Sequence, residues 1–538
     1  MYKLIVVSSF LVAIVTFTSC EKFLTEVPKS QISPENYYTT AADAEAAVIG
    51  AYNALQRNGV YGGGPTMQIF VSDIVRTAAT NTFGGIGNYT ITADNTEVLL
   101  LIWTNHYRGI NDANTAIDCI PSIKMAEKRK NTLVAEAKFL RSLLYFNLIR
   151  IWGDVPYKVS QTNSLNNLHV PRTPIDTIYN GIIHDLEFGI EHLDVKGETQ
   201  AGRATVGAAK TLLANVYLTR GSMAKRDGVG DGLTDFQKAA QLAKDVITTN
   251  HYSLCQYFPD AFIPENKNND EIIFDVQYKS GGFNEGSNLG INMGLMGPNL
   301  LGGSFGGIHA TEYFHTIYEN TDLVRKEWTT PHVRVEGDGT LKTDFPEDHA
   351  QPWKIGKFRR FPVRKADYVP NDYDIHFPIF RLAEVYLIYA EALNEANKDL
   401  APPSEIYMAL NKLRERARYT NKGTIHQDLL PRELTYNDQI LPDITEHDYP
   451  DYASVKQYII YERARELGGE CKRWFDLVRW GKLVEYVKLL KNFKPEGRRA
   501  PERNWAIIAD NIQDKHVLMP IPTSEIHANA LVTQNKGY

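Results

Sequence analysis

Residues 377–396 read FPIFRLAEVYLIYAEALNEA, and after a short polar break residues 404–417 read SEIYMALNKLRERA. In the first piece Leu382, Tyr386, Tyr389, Leu393 and Ala396 recur at the spacing of one face of an α-helix. Ile379, Ala383, Leu387 and Ala390 form a second apolar face, so the helix is expected to run from Phe377. Only Arg381, Glu384, Glu391, Glu395 and Lys398 are left as a polar stripe. A helix apolar on two sides is buried between neighbours rather than laid on a surface. Pro402 and Pro403 interrupt it, and Ser404 is placed to cap the next helix. In that helix Ile406, Leu410, Leu413 and Ala417 make one stripe. The pair predicts a helix hairpin that stacks on other helices.

Outward from the hairpin the same periodicity returns. Thr40 with Asp43 reads as a capping box before a helix carrying Ala44, Val48, Ala51 and Leu55. Further helices are expected from about Val98, over 126–150, and at 175–192, 206–220 and 235–249. Successive helix pairs with short breaks predict a mainly α, tetratricopeptide-like scaffold. Two stretches interrupt it. Residues 59–97 are rich in Gly, Thr and Asn, and 251–376 hold glycine tracts with one expected strand at 271–278. The scaffold is accordingly placed at about 34–58, 98–250 and 377–490, with a tail at 491–538 and a polar loop at 419–452.

The chain has 538 residues, 43% of them apolar, and a formal charge of −6, which gives no electrostatic reason for a nucleic-acid partner. Its beginning is not expected to belong to the fold. Lys3 precedes an apolar run, Leu4 to Phe17, too short for the roughly 20 residues of a membrane span. Phe17-Thr18-Ser19-Cys20 follows, so residues 1–19 read as a lipoprotein signal and Cys20 as the lipidated first residue of the mature chain, 20–538. Cys119, Cys255 and Cys471 then remain as buried free thiols, too far apart for a zinc site.

Seven segments together resemble the SusD/RagB family of Bacteroidetes outer-membrane lipoproteins. They are Asn111–Asn114 after Trp103 and Tyr107, RIWGDVPY (150–157), GRATVGAAKTLLANVYL (202–218) and RLAEVYLIYAEALNEA (381–396). LNKLRERA (410–417), YERARELGGECKRWFDLVRWG (461–481) and LMPIPTSEIHANALVTQNKGY (518–538) complete the set. The resemblance implies a helical-repeat scaffold with an irregular, loop-rich ligand-binding insertion. It also implies a non-enzymatic partner of a SusC-like TonB-dependent transporter that binds an oligosaccharide, without cofactor or metal. In 461–481 the arginines and acids are expected to form ion pairs between helices, and Gly468-Gly469 a helix end.

A sugar offers an apolar face for ring stacking and hydroxyls for planar polar groups, so loop aromatics beside Asn, Asp or Arg are the requirement. Asp73 to Asn95 and Tyr278 to Trp353 supply them. By resemblance the first region contributes Asp73, Arg76, Tyr89, Asp94 and Asn95. The second offers Phe283, Asn284, Tyr313 and Trp328, each open equally to a core role. Where the starch-binding member of the family carries a tryptophan-containing loop, this chain reads RTAATNTFGGIG, which points to another glycan or a peptide. Gly302–Gly306 has the G-x-S-x-G form but lacks a leading strand, so a hydrolytic serine at 304 is not expected. Asp227–Gly232 resembles a calcium loop, yet Val229 and Lys238 stand where ligands belong, and a turn is the reading. A surface hydrolase working through two loop carboxylates, or a helical adaptor without a small ligand, stays open.

Overall fold

The computed structural model describes residues 38–62, 70–77, 85–94, 97–162, 168–282, 285–295, 297–298, 303–304, 307–338, 340–342, 353–360, 372–422, 433–493 and 505–538. The signal segment and Cys20, as well as Asn95, Phe283 and Asn284, lie outside the described residues.

Helices α1 (Ala41–Asn53), α2 (Glu97–Cys119), α3 (Glu127–Trp152), α4 (Ile175–His192), α5 (Val206–Asp227) and α6 (Leu233–Thr248) pack each against the next. The capping box forms at the start of α1: Asp43 N donates to Thr40 Oγ1 at 3.3 Å, and Thr40 N to Asp43 Oδ2 at 2.8 Å. Gly228 closes α5 in the left-handed conformation at φ 71°, so Asp227–Gly232 is a turn into α6.

Past α6 the described residues include three short α-helices, α7 (Leu289–Asn292), α8 (Glu312–Thr316) and α9 (Leu323–Thr329), before the stack resumes. There α10 (Leu382–Ala396) packs on α6, on its hairpin partner α11 (Ser404–Ala417) and on α12 (Tyr452–Leu467). Its second apolar face is fully used, with Ala383, Leu387 and Ala390 buried, while the first is only partly covered, with Tyr386, Leu393 and Ala396 half-buried. The chain ends through α13 (Arg473–Arg479), α14 (Leu483–Lys488), α15 (Trp505–Asn511) and α16 (Thr523–Ala528).

Strands come in antiparallel pairs. They are β1 (Val75–Thr77) with β5 (Ile308–Ala310), β2 (Val155–Pro156) with β3 (Arg172–Thr173), β4 (Ile272–Val276) with β8 (Phe377–Arg381), β6 (Arg334–Val335) with β7 (Leu341–Lys342), and β9 (Tyr419–Asn421) with β10 (Leu434–Tyr436).

Two local expectations are corrected. Residues 377–381 form strand β8, not the first turn of α10, so Ile379 belongs to a sheet face. Pro378 keeps Phe377 out of the helical region, and the expected strand at 271–278 is the partner that captures the segment. Ser404 does not cap α11: it is the first helical residue, Pro403 takes the cap position, and no side chain bonds there.

Candidate functional site

The two loop regions meet in a small sheet. Strand β1, from the first, runs antiparallel to β5, from the second, with Arg76 opposite His309. A third stretch joins on the other side of β5, where His309 bridges to Lys354 and Ala310 N donates to Trp353 O at 3.0 Å. Gly356 N then donates to Thr329 O at 2.9 Å, which holds 353–356 along the end of α9.

This arrangement gathers three rings from distant positions. The half-buried Trp353 indole stacks on His315 of α8 with centroids 3.7 Å apart at 25°, and lies 4.4 Å from the ring of His332. His315 Nδ1 is 3.1 Å from Thr330 Oγ1. Burial pushes the His315 imidazole down to about 3, so the ring is neutral under ordinary conditions. A neutral π surface edged with ring nitrogens offers both stacking area and hydrogen-bonding groups.

The platform is fixed to the scaffold by buried charge. On α9, Arg325 Nη1 lies 2.5 Å from Glu462 Oε1 and 3.2 Å from Glu466 Oε2 of α12, and its Nη2 lies 2.6 Å from Asp322. Lys357, four residues after Trp353, pairs with Glu470 at 2.5 Å, and burial draws its ammonium down to about 8. Arg381 and Arg416 close the network on Glu271 and Glu466. These side chains are at most a few per cent exposed, so each ion depends on its partners for solvation. Gly468 and Gly469 let the end of α12 come close. A Cβ at Gly468 would sit 2.1 Å from Phe314 Cζ, and Gly469 is left-handed at φ 85°.

The structure places the sequence candidates differently from one another. Asp73 is fully buried, its carboxylate bidentate to Arg473 of α13 at 3.0 and 2.6 Å, and its carbonyl accepts from Thr311 Oγ1 at 2.6 Å. Arg76 is buried on β1. Tyr89 is 4% exposed, its hydroxyl donates to Val71 O, and its ring lies 5.1 Å from His516. Tyr313 packs edge-on against Phe493 at 5.2 Å, and Trp328 lies under the Arg359 guanidinium at 3.8 Å; both are buried. Asp94 alone of the described six is exposed, accepting from Thr523 Oγ1 at 3.1 Å. Tyr89, Tyr313 and Trp328 are therefore core side chains that hold the loops in place: Tyr313 and Trp328 take the core role that the sequence left open, and Tyr89 is buried where an exposed loop ring was expected. Trp353 marked only the edge of the second region in sequence, because its two ring partners are 21 and 38 positions away.

Elsewhere the sequence chemistry resolves as structure. Ser304 is buried and its hydroxyl donates to Ile291 O at 2.8 Å, with strand β5 rather than a helix following. Trp103 meets Trp152 edge-on at 5.1 Å, as helix packing requires. Arg463 and Arg479 both pair with Asp476, tying α12 to α13. Cys119, Cys255 and Cys471 form no disulfide among the described residues and are half-buried rather than fully buried.

Two family models match the chain. One, described as the SusD family, covers residues 348–538, and one described as starch-binding associating with outer membrane covers 22–218. The chain is 28% identical to SusD-like protein P25 of Formosa agariphila, over 97% of both chains. It is 24% identical to the starch-binding protein SusD of Bacteroides thetaiotaomicron, over 75% of this chain and 72% of that one. Among solved structures, a SusD homologue from Bacteroides thetaiotaomicron superposes with TM-score 0.78 at 20% identity, covering 94% of this chain and 98% of that one. A SusD-like protein described as laminarin-binding superposes at 0.68 with 22% identity, covering 93% and 100%. The chain belongs to the SusD/RagB family.

Proposed function

We propose that this protein is a cell-surface lipoprotein that binds oligosaccharides without altering them and passes them to a SusC-like TonB-dependent transporter in the outer membrane. The observation that carries the reading is the Trp353–His315–His332 ring group, set on the sheet where the two loop regions join. Sugar rings stack on such a surface through their C–H faces while ring nitrogens meet hydroxyls. Related structures described as laminarin-binding and as holding a xylogluco-oligosaccharide support a glycan as the ligand class. The description "associating with outer membrane" of the matching family model supports the location, and lipidation at Cys20 supplies the anchor in this reading.

The test is a glycan panel against the purified mature chain, with Trp353→Ala beside it. One stacking ring is worth about 1–3 kcal/mol on the base-stacking scale, so the variant is expected to lose about tenfold or more in affinity without loss of fold. Binding to peptides alone, or glycan affinity untouched by Trp353→Ala, overturns the assignment of ligand or of site.

A further inference from the structure

The hairpin that reveals the fold also carries a groove of its own. It has a volume of about 590 Å3 and lies between α10, α11 and the β9–β10 pair. It shares no residue with the Trp353 group. Tyr386, Tyr389, Met408, Lys412, Arg418 and Tyr436 are among its lining residues. We propose that this groove is a second oligosaccharide-binding site, a proposal that rests on the glycan-binding reading given above.

Three features are those of a site for an uncharged polar ligand. Tyr389 is only 9% exposed, Tyr386 is half-buried, and among the described residues neither hydroxyl has a hydrogen-bond partner. A sunken phenol ordinarily finds a partner, and here both line open space where a ligand hydroxyl can supply one. Tyr436 is 45% exposed, yet its ring is held: it packs 5.0 Å from Tyr419, and Arg418 Nη1 donates to its hydroxyl at 3.2 Å. Arg418 is itself fixed by Leu441 O and Asp443, so the exposed ring is presented in one orientation. Met408, 61% exposed at mid-helix, adds an apolar patch that stacking on a C–H face would cover.

Charge narrows the occupant. The groove carries Lys412 and Arg418 against Glu405, Glu415 and Asp443, and the pairs Lys412–Glu415 and Arg418–Asp443 are already formed. With those pairs formed, a polyanion meets no spare cation and a strongly basic peptide meets a single spare acid, Glu405, while a neutral sugar chain meets rings, an apolar thioether and free hydroxyls. Two sites on one chain let a polysaccharide be held at two points, which raises avidity when one strand spans both.

Calorimetry of the whole mature chain with a short oligosaccharide identified by the panel tests this. Wild type is expected to bind two ligands, and Trp353→Ala to retain one weaker site. Tyr436→Ala is expected to bind one, with at least a tenfold loss at the groove. Met408→Glu, a change at an exposed position, is expected to do the same and guards against a folding artefact. One ligand per chain, lost in Trp353→Ala and unchanged in Tyr436→Ala and Met408→Glu, overturns the second site and leaves the first standing. A short peptide displacing the sugar only from the groove overturns the ligand class proposed for it. Absence of glycan binding in every variant overturns both readings.

Discussion

Tyr89 illustrates how one side chain reads differently before and after folding. In sequence it is a ring in a polar, glycine-rich loop, the kind of position a sugar-binding surface needs. In the structure it is 4% exposed and left-handed at φ 59°, with its hydroxyl bonded to Val71 O. Tyr89→Ala is therefore expected to act on stability, at about 3–5 kcal/mol for a buried aromatic cut to alanine. Urea unfolding reads this directly, and glycan affinity of the folded fraction should be unchanged. A loss of affinity with an unaltered urea midpoint would return Tyr89 to the binding surface. Asp73 makes the same point through charge, because its partner Arg473 is 400 positions away. The acid is required where it stands, since its removal would leave a buried guanidinium without its counter-ion.

At the scale of elements, α12 decides how the loop-rich half sits on the scaffold. Glu462 and Glu466 point from it, and Glu470 from the turn just past its end, into the cluster of Arg325, Lys357, Arg381 and Arg416. Burial alone would raise these carboxyls, but the surrounding cations hold all three below the ordinary value of 4.5, and Asp476 below 3.8. A carboxyl whose folded pKa is lowered lends stability above its unfolded pKa and withdraws it as pH falls. Asp322 works in the opposite sense, because burial outweighs Arg325 and raises it. Four lowered groups against one raised give a net loss of stability below about pH 4.5. His315 adds to that loss from about pH 6.5 downward, since the unfolded ring takes a proton that the folded ring refuses. Glu466→Gln is expected to cost about 3–5 kcal/mol at pH 7 and to flatten the acid limb of a urea-midpoint profile. Parallel profiles for wild type and variant would show that Glu466 is not a main contributor. The ion pairing of 461–481 was legible in sequence as alternating Arg and Glu. Its reach to Glu271, Asp322 and Lys357 was not, because no local spacing links those positions.

Across the whole molecule, α10 resumes on α6 the stack that began at α1, although residues 249–381 intervene. The loop-rich stretch is thus an insertion carried by a continuous helical scaffold, and the ring group rides on it. With the anchor proposed at Cys20, the chain is expected in the outer-membrane fraction, and Cys20→Ser in the soluble fraction; equal membrane retention of the variant would dismiss the anchor. Sequence by itself determined the helical stack, the pairing of the two hairpin helices now bounded at 382–396 and 404–417, the two interrupting regions and the family pattern. Each of these rests on periodicity or on residues close together along the chain. The tertiary structure alone decided that 377–381 would be a strand, that Tyr89, Tyr313 and Trp328 would be buried, and that Trp353 would meet His315 and His332. A helix writes its buried face every three or four residues, whereas a ring in an irregular segment is buried or exposed according to partners far away in sequence, as Tyr89 is by His516. The hairpin keeps its place as the clearest mark of fold, and its outer face acquires a groove that the apolar pattern gave no reason to expect.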